Sequence, residues 1–402
     1  HNEVTPCNAG IAPIVDEVKK GIYTANGTPF EFGTITVSDA ISMGTEGMKG
    51  SLVSREIIAD SIEIVCFAER YDGLVAVAGC DKSLPGAMMA MARLNIPSIF
   101  IYGGSIMPGS WKGEDIQIQT VFEAVGKRQS NEIDDEELRQ IEIRACPGPG
   151  ACGGMFTANT MSSIGEALGL SLPGSASEPN VDQRNLASSR EAGRAILNLL
   201  RQDIRPRDIL TQKAFENAVT LVVAMGGSTN TTLHLPAIAY EAGIDLSLKD
   251  IHDISMRTPL LADMKPGGKH VMLDLDKVGG IPVVMKMLLD AGLIHGDCIT
   301  VTGKTVKENL THVIEPGENK VIYPVVKPLS KTGGLVTLFG NLAPDGAVLK
   351  VAGHQFGAKF SGPARVFERE ERVMEALQKR NINKGDVIII RYEGPKGGPG
   401  MR

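Results

Sequence analysis

Aromatic residues, long apolar runs and an excess of basic charge are all scarce in this sequence. Phe, Trp and Tyr make up 4% of its 402 residues, and its 41 Lys and Arg are outnumbered by 47 Asp and Glu. No apolar run reaches the roughly 18 residues that a membrane-spanning helix needs, and no long basic run offers a cationic surface to a nucleic acid. We therefore expect no membrane insertion and no nucleic-acid binding.

Cysteine is sparse as well. The chain has six cysteines, no C-x-x-C pair and no recognisable secretory signal. So few thiols in so long a chain do not make a disulfide scaffold, which favours the reducing cytoplasm as the compartment of this protein. The chain begins at His1 and ends within a loop-like run at residues 393–402, so we expect a fragment truncated at both ends.

The apolar pattern predicts an α/β protein with two domains. Short apolar runs at Leu74–Ala78 and Ser98–Tyr102, and an alternating run at residues 32–38, are typical of strands separated by helices. This alternation predicts a doubly wound parallel sheet in an N-terminal domain, residues 1–325. Residues 315–331 are rich in Pro, Gly and charge and predict a linker, and the short strands after it predict an incomplete β-barrel-like C-terminal domain, residues 333–402.

One short motif carries three reactive side chains in a row. Cys80, Asp81 and Lys82 follow the strand Leu74–Ala78, and Pro85 suits the first turn of a helix. The carboxyl end of a parallel strand, just before a helix, is where α/β sheets place ligands and where backbone N–H groups favour anions. The residues alone fit a metal site and a solvated turn about equally well.

Other segments also hold residues that could serve either a function or the fold. Cys7 follows a proline and is either a ligand or a small buried side chain, and Asp39 ends the run at 32–38 as either a metal ligand or a turn cap. Gly148, Gly150 and Gly153 formally match a dinucleotide fingerprint. We reject that function because no apolar strand precedes them.

The same glycine-rich loop brings Cys152 to the start of a helix, whose N-terminal dipole is expected to favour a thiolate. Residues 226–231 suit either an anion cradle or a helix cap, and His234 is expected to be structural.

Taken together, these motifs resemble the dihydroxy-acid dehydratase family, which includes the sugar-acid dehydratases. The resemblance covers essentially the whole chain and rests on five motifs in family order: TPCN at residues 5–8, SDAISMG at 38–44, GCDKSLPG at 79–86, GACGGM with TANT at 150–160, and YEGPKGGPGM at 392–401.

The resemblance implies two inorganic cofactors. Cys7, Cys80 and Cys152 would bind an iron–sulfur cluster, 2Fe-2S or alternatively 4Fe-4S, and leave one iron position open to substrate. Asp39, Asp81, Lys82 and Glu393 would bind Mg²⁺. Lysine is a poor ligand while protonated, and in the family it becomes a carbamate, which supplies the oxygen that Mg²⁺ prefers.

The implied activity is a hydro-lyase reaction of branched-chain amino-acid biosynthesis. A 2,3-dihydroxy acid such as 2,3-dihydroxy-isovalerate or 2,3-dihydroxy-3-methylvalerate would lose water to give a 2-oxo acid. The resemblance also implies a homodimer and a catalytic base serine beyond Arg402, so the 402-residue chain is expected to be inactive by itself. The alternatives are a sugar-acid dehydratase, acting on an aldonate or 6-phosphogluconate, and a non-catalytic iron–sulfur binding or redox-sensing module.

Overall fold

A computed structural model describes residues 4–351 and 359–394 of the chain. Both helices and strands are present, which confirms the predicted α/β character at the level of secondary structure. Within the described residues, no helix is both long enough and apolar enough to cross a membrane.

The helices are α1 (Pro6–Ala9), α2 (Ile11–Thr24), α3 (Asp39–Ser42), α4 (Lys49–Ala68), α5 (Ser83–Leu94), α6 (Ile118–Gln129), α7 (Asp135–Glu142), α8 (Thr157–Leu168), α9 (Gln183–Gln202), α10 (Pro206–Ile209), α11 (Gln212–Met225), α12 (Thr231–Ala242), α13 (Leu248–Arg257), α14 (Met272–Lys277), α15 (Gly280–Asp290), α16 (Val306–Leu310) and α17 (Glu370–Gln378), with a 3-10 turn at Glu46–Met48. The strands are β1 (Leu74–Ala78), β2 (Ser98–Tyr102), β3 (Gly109–Trp111), β4 (Glu114–Ile116), β5 (Leu335–Leu338), β6 (Ala347–Lys350), β7 (Ala364–Phe367) and β8 (Val387–Ile390).

The first strand pair positions the site. β1 and β2 are parallel, with Leu74 opposite Ser98 and Ala78 opposite Tyr102, and α5 makes the crossover between them. Both strands confirm the sequence prediction, and both end at the same edge of the sheet. Every residue of α8 is buried, as are most residues of α5, so the loops that enter these two helices are held by the core.

The predicted strand at residues 32–38 is wrong, because that segment joins no sheet up to Ser38 and α3 begins at Asp39. Its polar side chains bond to helices instead. Thr34 Oγ1 lies 2.5 Å from Ser61 Oγ on α4, and Thr36 Oγ1 lies 2.9 Å from Ser83 Oγ on α5. The segment is therefore extended but is fixed by side-chain bonds rather than by a backbone ladder.

Residues 297–302 are apolar and β-branched enough to predict a strand, and that prediction is wrong too. The chain turns back at Gly303, which has φ +74°, and Thr300 N donates to Lys304 O over 3.0 Å. The turn uses the backbone groups that a strand would need, and a single bridge between Ile299 and Thr305 remains.

The C-terminal strands form two pairs. β5 and β6 are antiparallel, whereas β7 and β8 are parallel and are joined through α17. Near the predicted domain boundary, Asp263 N donates to Val321 O (2.9 Å) and Tyr323 N donates to Leu261 O (2.8 Å), so this part of the expected linker packs on the N-terminal residues. The doubly wound sheet, the barrel-like domain and the domain limits stay predictions.

Candidate functional site

Cys7 and Cys80 lie together at the carboxyl end of β1. Cys7 is on α1, and Cys80 is separated from the end of β1 by Gly79; both cysteines are buried. Gly79 makes this approach possible, because a Cβ at that position would collide with the carbonyl oxygen of Cys7. The two thiols are hydrogen-bonded to each other, and this bond, burial and the nearby Cys80, Cys152 and Asp81 charges raise the pKa of Cys7 well above its usual value.

The loop that carries Cys152 is attached to the same place by backbone bonds. Gly150 N donates to Pro6 O over 2.9 Å, and Ala151 N donates to Gly104 O over 3.0 Å. Gly150 has φ +127°, and a side chain there would collide with the backbone of Ser105 and Ile106. The glycine is therefore required both for its conformation and for the close packing of the loop.

Asn159 fixes the conformation of the Cys152 loop from inside the core. Its Nδ2 donates to the carbonyl oxygens of Cys152 and Gly154, each over 2.7 Å. Its Oδ1 accepts from the buried hydroxyl of Tyr102, at the end of β2, over 2.6 Å. One fully buried amide thus ties the loop to the strand edge that carries Cys80.

Electrostatics at Cys152 differ from the sequence prediction. The helix after the loop, α8, was expected to favour a thiolate, but burial and the neighbouring charges of Asp81, Cys80 and Cys146 raise the pKa of Cys152. The correction has a physical reason: the thiol is surrounded by other anionic groups in a buried site, and α8 begins only at Thr157. Since the negative charges of Cys7, Cys80 and Cys152 would repel one another, a bound cation is needed to stabilise all three thiolates together.

Cys66, Cys146 and Cys298 are the remaining cysteines, to which the family resemblance assigns no role. Burial raises the pKa of Cys66 to about 11, and burial is also the main cause of the raised pKa of Cys298. Cys146 is more exposed but close enough for its charge to raise the pKa of Cys152.

Asp39, Asp81 and Lys82 form a second group beside the thiols. Lys82 is 2% exposed and forms an ion pair with Asp39. Ser51 Oγ donates to the other oxygen of Asp39 over 2.5 Å. Burial and the Asp39 carboxylate raise the pKa of Asp81 to about 7, although Lys82 and a hydrogen bond from the Ala158 amide act in the opposite direction. Two carboxyl groups that are hydrogen-bonded to each other, one of them buried and one half-buried, fit a cation between them.

Glu393 is not brought to this group. Its nearest described partner is the Glu370 backbone amide at the start of α17, 3.5 Å from its Oε1. Among residues 4–351 and 359–394, no three Asp, Glu, Cys or His side chains surround a point where one metal ion could bind. A cluster is larger than an ion and its thiolates bind different irons, so this observation bears on the Mg²⁺ ligand set and not on the three thiols.

The residues present fit both kinds of group. Three mutually close thiols suit an iron–sulfur cluster, because a cluster takes thiolate ligands and supplies the positive charge that they lack. Cys7 and Cys80 are buried and Cys152 is half-buried, and the pKa values of Cys7 and Cys152 are raised. The hydrogen-bonded pair of Asp39 and Asp81 suits a hard divalent cation. Lys82, as an ammonium, offers donors only and would have to be converted before it could act as a ligand.

Sequence reasoning missed a buried pair close to Lys82. His234 on α12 is 0% exposed, and Arg55 Nη1 on α4 lies 3.1 Å from its Nδ1. Arginine donates at every accessible pH, so Nδ1 accepts and the proton is on Nε2. Burial, and then the charges of Arg55 and Lys82, lower the pKa of His234 well below 6.5. The expected structural role is consistent with this pairing, but no local sequence signal joins α4 to α12.

This pairing predicts how stability depends on pH. The unfolded chain binds a proton at His234 below pH 6.5 and the folded chain does not, so the contribution of His234 to stability is lost as pH falls, by about 1 kcal/mol per pH unit. The free energy of unfolding of the metal-free protein, measured in urea at pH 7.5, 6.5 and 5.5, should therefore fall more steeply for wild type than for His234→Gln. His312→Gln, at an exposed position, is the control and should follow wild type. Parallel curves for wild type and His234→Gln would contradict this prediction.

Comparison with known proteins defines the class to which this fold and site belong. Residues 1–309 match the family model described as dihydroxy-acid/6-phosphogluconate dehydratase N-terminal, and residues 320–402 match its C-terminal counterpart. The chain therefore belongs to the dihydroxy-acid/6-phosphogluconate dehydratase family.

Three similar curated proteins are named dihydroxy-acid dehydratases. The chain is 55% identical over 402 residues to the dihydroxy-acid dehydratase of Parvibaculum lavamentivorans, covering 100% of this chain and 70% of the relative. It is 56% identical over 401 residues to dihydroxy-acid dehydratase 2 of Mesorhizobium japonicum, covering 100% and 68%. It is 54% identical over 404 residues to the dihydroxy-acid dehydratase of Thermosynechococcus vestitus, covering 100% and 72%.

Proposed function

We propose that this protein is a hydro-lyase that removes water from a 2,3-dihydroxy carboxylic acid to give a 2-oxo acid in branched-chain amino-acid biosynthesis. The observation that carries this function is the convergence of Cys7, Cys80 and Cys152 beside the buried group of Asp39, Asp81 and Lys82. Membership of the family and the shared name of the relatives at 54–56% identity support the same reaction.

Two sets of residues would hold the cofactors. We assign Cys7, Cys80 and Cys152 to an iron–sulfur cluster, 2Fe-2S by resemblance to the family, and Asp39, Asp81, Lys82 and Glu393 to Mg²⁺. When bound, the two groups supply Lewis acids of different hardness, one for the departing 3-hydroxyl and one for the carboxylate and 2-hydroxyl of the substrate. Glu393 is assigned on the resemblance alone.

The protein's own residues prepare the site in three ways. The backbone bonds to Gly150 and Ala151, and the amide of Asn159, hold the Cys152 loop rigidly against β2, which fixes the spacing of the thiols. Burial removes water, so each charge acts more strongly on a bound anion than it would in solution. The Ala158 amide, at the first turn of the buried helix α8, donates to Asp81 and keeps that carboxyl oriented.

Lys82 requires a covalent change to act as a ligand. Its amine would attack carbon dioxide, form a C–N bond and lose a proton, giving a carbamate whose oxygens bind Mg²⁺. The structure has Lys82 buried and next to Asp39, so the modified side chain would already be at the carboxylate pair. Mass spectrometry of the intact protein under carbon dioxide, compared with Lys82→Arg, measures this modification directly.

A panel of substrates distinguishes the two functions found in this family, dehydration of a branched-chain dihydroxy acid and dehydration of a sugar acid. Full-length protein, purified without oxygen and supplied with iron, sulfide and Mg²⁺, is assayed for 2-oxo acid from 2,3-dihydroxy-isovalerate, gluconate and 6-phosphogluconate. We expect kcat/KM for the branched-chain acid to exceed the other two by at least about tenfold, since a difference of one apolar group between substrates is typically worth about 10–200-fold. Faster turnover of gluconate would assign the sugar-acid function instead, and no 2-oxo acid from any of them would contradict the proposal.

The homodimer and the larger sheet belong to the same proposal. An exposed apolar stripe on α4, formed by Val53, Ile57, Ile64 and Phe67 at helical spacing, supports an interface with a second copy. The parallel strands β1 and β2, joined through α5, support the doubly wound arrangement. Light scattering of the full-length protein should give twice the mass of one chain, and the mass of a monomer would contradict the dimer.

A further inference from the structure

Gln117 is a buried amide that lacks a hydrogen-bond partner. It precedes α6 as the N-cap residue and is 2% exposed. Its backbone amide is satisfied by Thr120 Oγ1 over 3.2 Å, but neither its side-chain Nε2 nor its Oε1 has a hydrogen-bond partner among the residues that the structure describes. A buried amide donor without a partner is unfavourable, and such groups in native proteins usually have a bound group to contact.

The carboxamide of Gln117 lies against the loop that carries Cys152. Its Oε1 is 3.6 Å from the point where a Cβ on Gly153 would be, and Gly153 directly follows Cys152. That distance is an ordinary van der Waals contact, so the carboxamide reaches the loop at the residue next to Cys152. The amide therefore lies beside the backbone of the cysteine loop.

The loop's carbonyl oxygens are already in use. Asn159 Nδ2 donates to the oxygens of Cys152 and Gly154, and Met272 N donates to the oxygen of Gly153 over 2.7 Å. The sulfur of Cys152 takes part in none of these three bonds and has its own backbone amide as a hydrogen-bond partner, which leaves it able to accept from a second donor. It becomes a strong acceptor when it is a thiolate bound to iron.

We infer that Gln117 is a positioning residue whose side-chain amide donates a hydrogen bond to the Cys152 sulfur in the cluster-bound protein. This inference rests on the proposed function, which places a cluster at Cys152. A donor to a ligand sulfur withdraws negative charge from it, which stabilises the reduced cluster and makes the iron a stronger Lewis acid. Gln117 thus tunes the cluster without contacting substrate.

Potentiometric titration of the anaerobically prepared, cluster-loaded protein tests the inference. Gln117→Met removes the donor and keeps the length of the side chain, and Gln117→Glu keeps its shape but replaces the donor by an oxygen. Gln129→Met, at the exposed last residue of the same helix, is the matched control. At a fixed potential we expect Gln117→Met to shift the oxidised-to-reduced ratio about tenfold toward the oxidised cluster, which is about 59 mV for one electron. Gln117→Glu should shift it further, and Gln129→Met should match wild type.

The outcomes separate this inference from the function on which it rests. Full cluster content with an unchanged potential in both Gln117 variants would overturn the inference and leave the proposed function intact. A wild-type protein that takes up no iron and sulfide would overturn both. Loss of the cluster from both Gln117 variants, with unchanged thermal unfolding of the cluster-free proteins, would support the inference. If those cluster-free variants unfolded at lower temperature than Gln129→Met, Gln117 would be structural and the inference would fail.

Discussion

Cys80→Ser should lose the iron–sulfur cluster and, with it, dehydratase activity. Cys80 is buried at the end of β1, is hydrogen-bonded to Cys7 and lies close enough to Cys152 for its charge to raise the pKa of that thiol. The serine side chain is shorter than that of cysteine, and its hydroxyl does not ionise to a soft anion. It therefore cannot replace a thiolate as a ligand of iron. Mutating a residue that hydrogen-bonds to a metal ligand typically lowers metal affinity or activity by about 10–100-fold. Loss of the ligand itself should therefore lower activity by at least about a hundredfold. Iron and sulfide content, visible absorption and 2-oxo acid formation measure the effect.

The control for this experiment is Cys66→Ser. Cys66 is equally buried, on α4, and its raised pKa of about 11 comes from burial alone. The variant therefore removes a buried thiol without removing a ligand and should retain iron, sulfide and activity. If both variants lost iron, sulfide and activity equally, replacing any buried cysteine would be enough to disturb the fold. The result would then contradict a specific ligand role for Cys80.

Asp81→Asn should remove activity while it makes the metal-free protein more stable. Asn keeps the size of the side chain but lacks the charge that a divalent ion requires, and metal-ion stabilisation of several kcal/mol corresponds to at least about a hundredfold in rate. The pKa of Asp81 is raised from 3.8 to about 7, so the unfolded chain releases this proton at lower pH than the folded chain. The metal-free wild type consequently loses stability as pH rises from about 4 to 7. Asp81→Asn should not show that loss.

Two measurements at pH 8 check this prediction: kcat with saturating Mg²⁺, and the free energy of unfolding in the presence of a chelator. Asp72→Asn, an exposed change on the same connection to β1, should leave both unchanged. A fall in activity together with a fall in stability would indicate structural damage rather than a lost ligand. Mg²⁺-dependent turnover in wild type that disappears in Asp81→Asn would also exclude a protein that only binds or senses through a cluster.

Local patterns predicted the part of the fold that positions the site. β1 and β2 were found because a short run of apolar residues, ended by glycine and polar side chains, is a local signal. Residues 32–38 have the same strand-like pattern, and there the prediction failed. Strand pairing depends on distant partners, and Thr34 and Thr36 find theirs on α4 and α5.

The site could be predicted only in pieces. The Cys80-Asp81-Lys82 motif marked one part of it, but no spacing connects Cys7, Cys80 and Cys152, and only the family resemblance grouped them before the structure did. The predicted thiolate-favouring effect of α8 at Cys152 was wrong in direction, because the burial and neighbouring charges that raise its pKa come from distant parts of the chain. The supporting residues Asn159, Arg55 and Gln117 carry no local signal, since their partners are set by tertiary packing.

The position of iron in crystals of the full-length protein, grown without oxygen, tests the central claim most directly. Anomalous diffraction at the iron absorption edge should give density bounded by the sulfurs of Cys7, Cys80 and Cys152, with Asp39, Asp81 and Lys82 on one side of it. Iron density elsewhere in the protein, or none in protein that still dehydrates its substrate, would contradict the account.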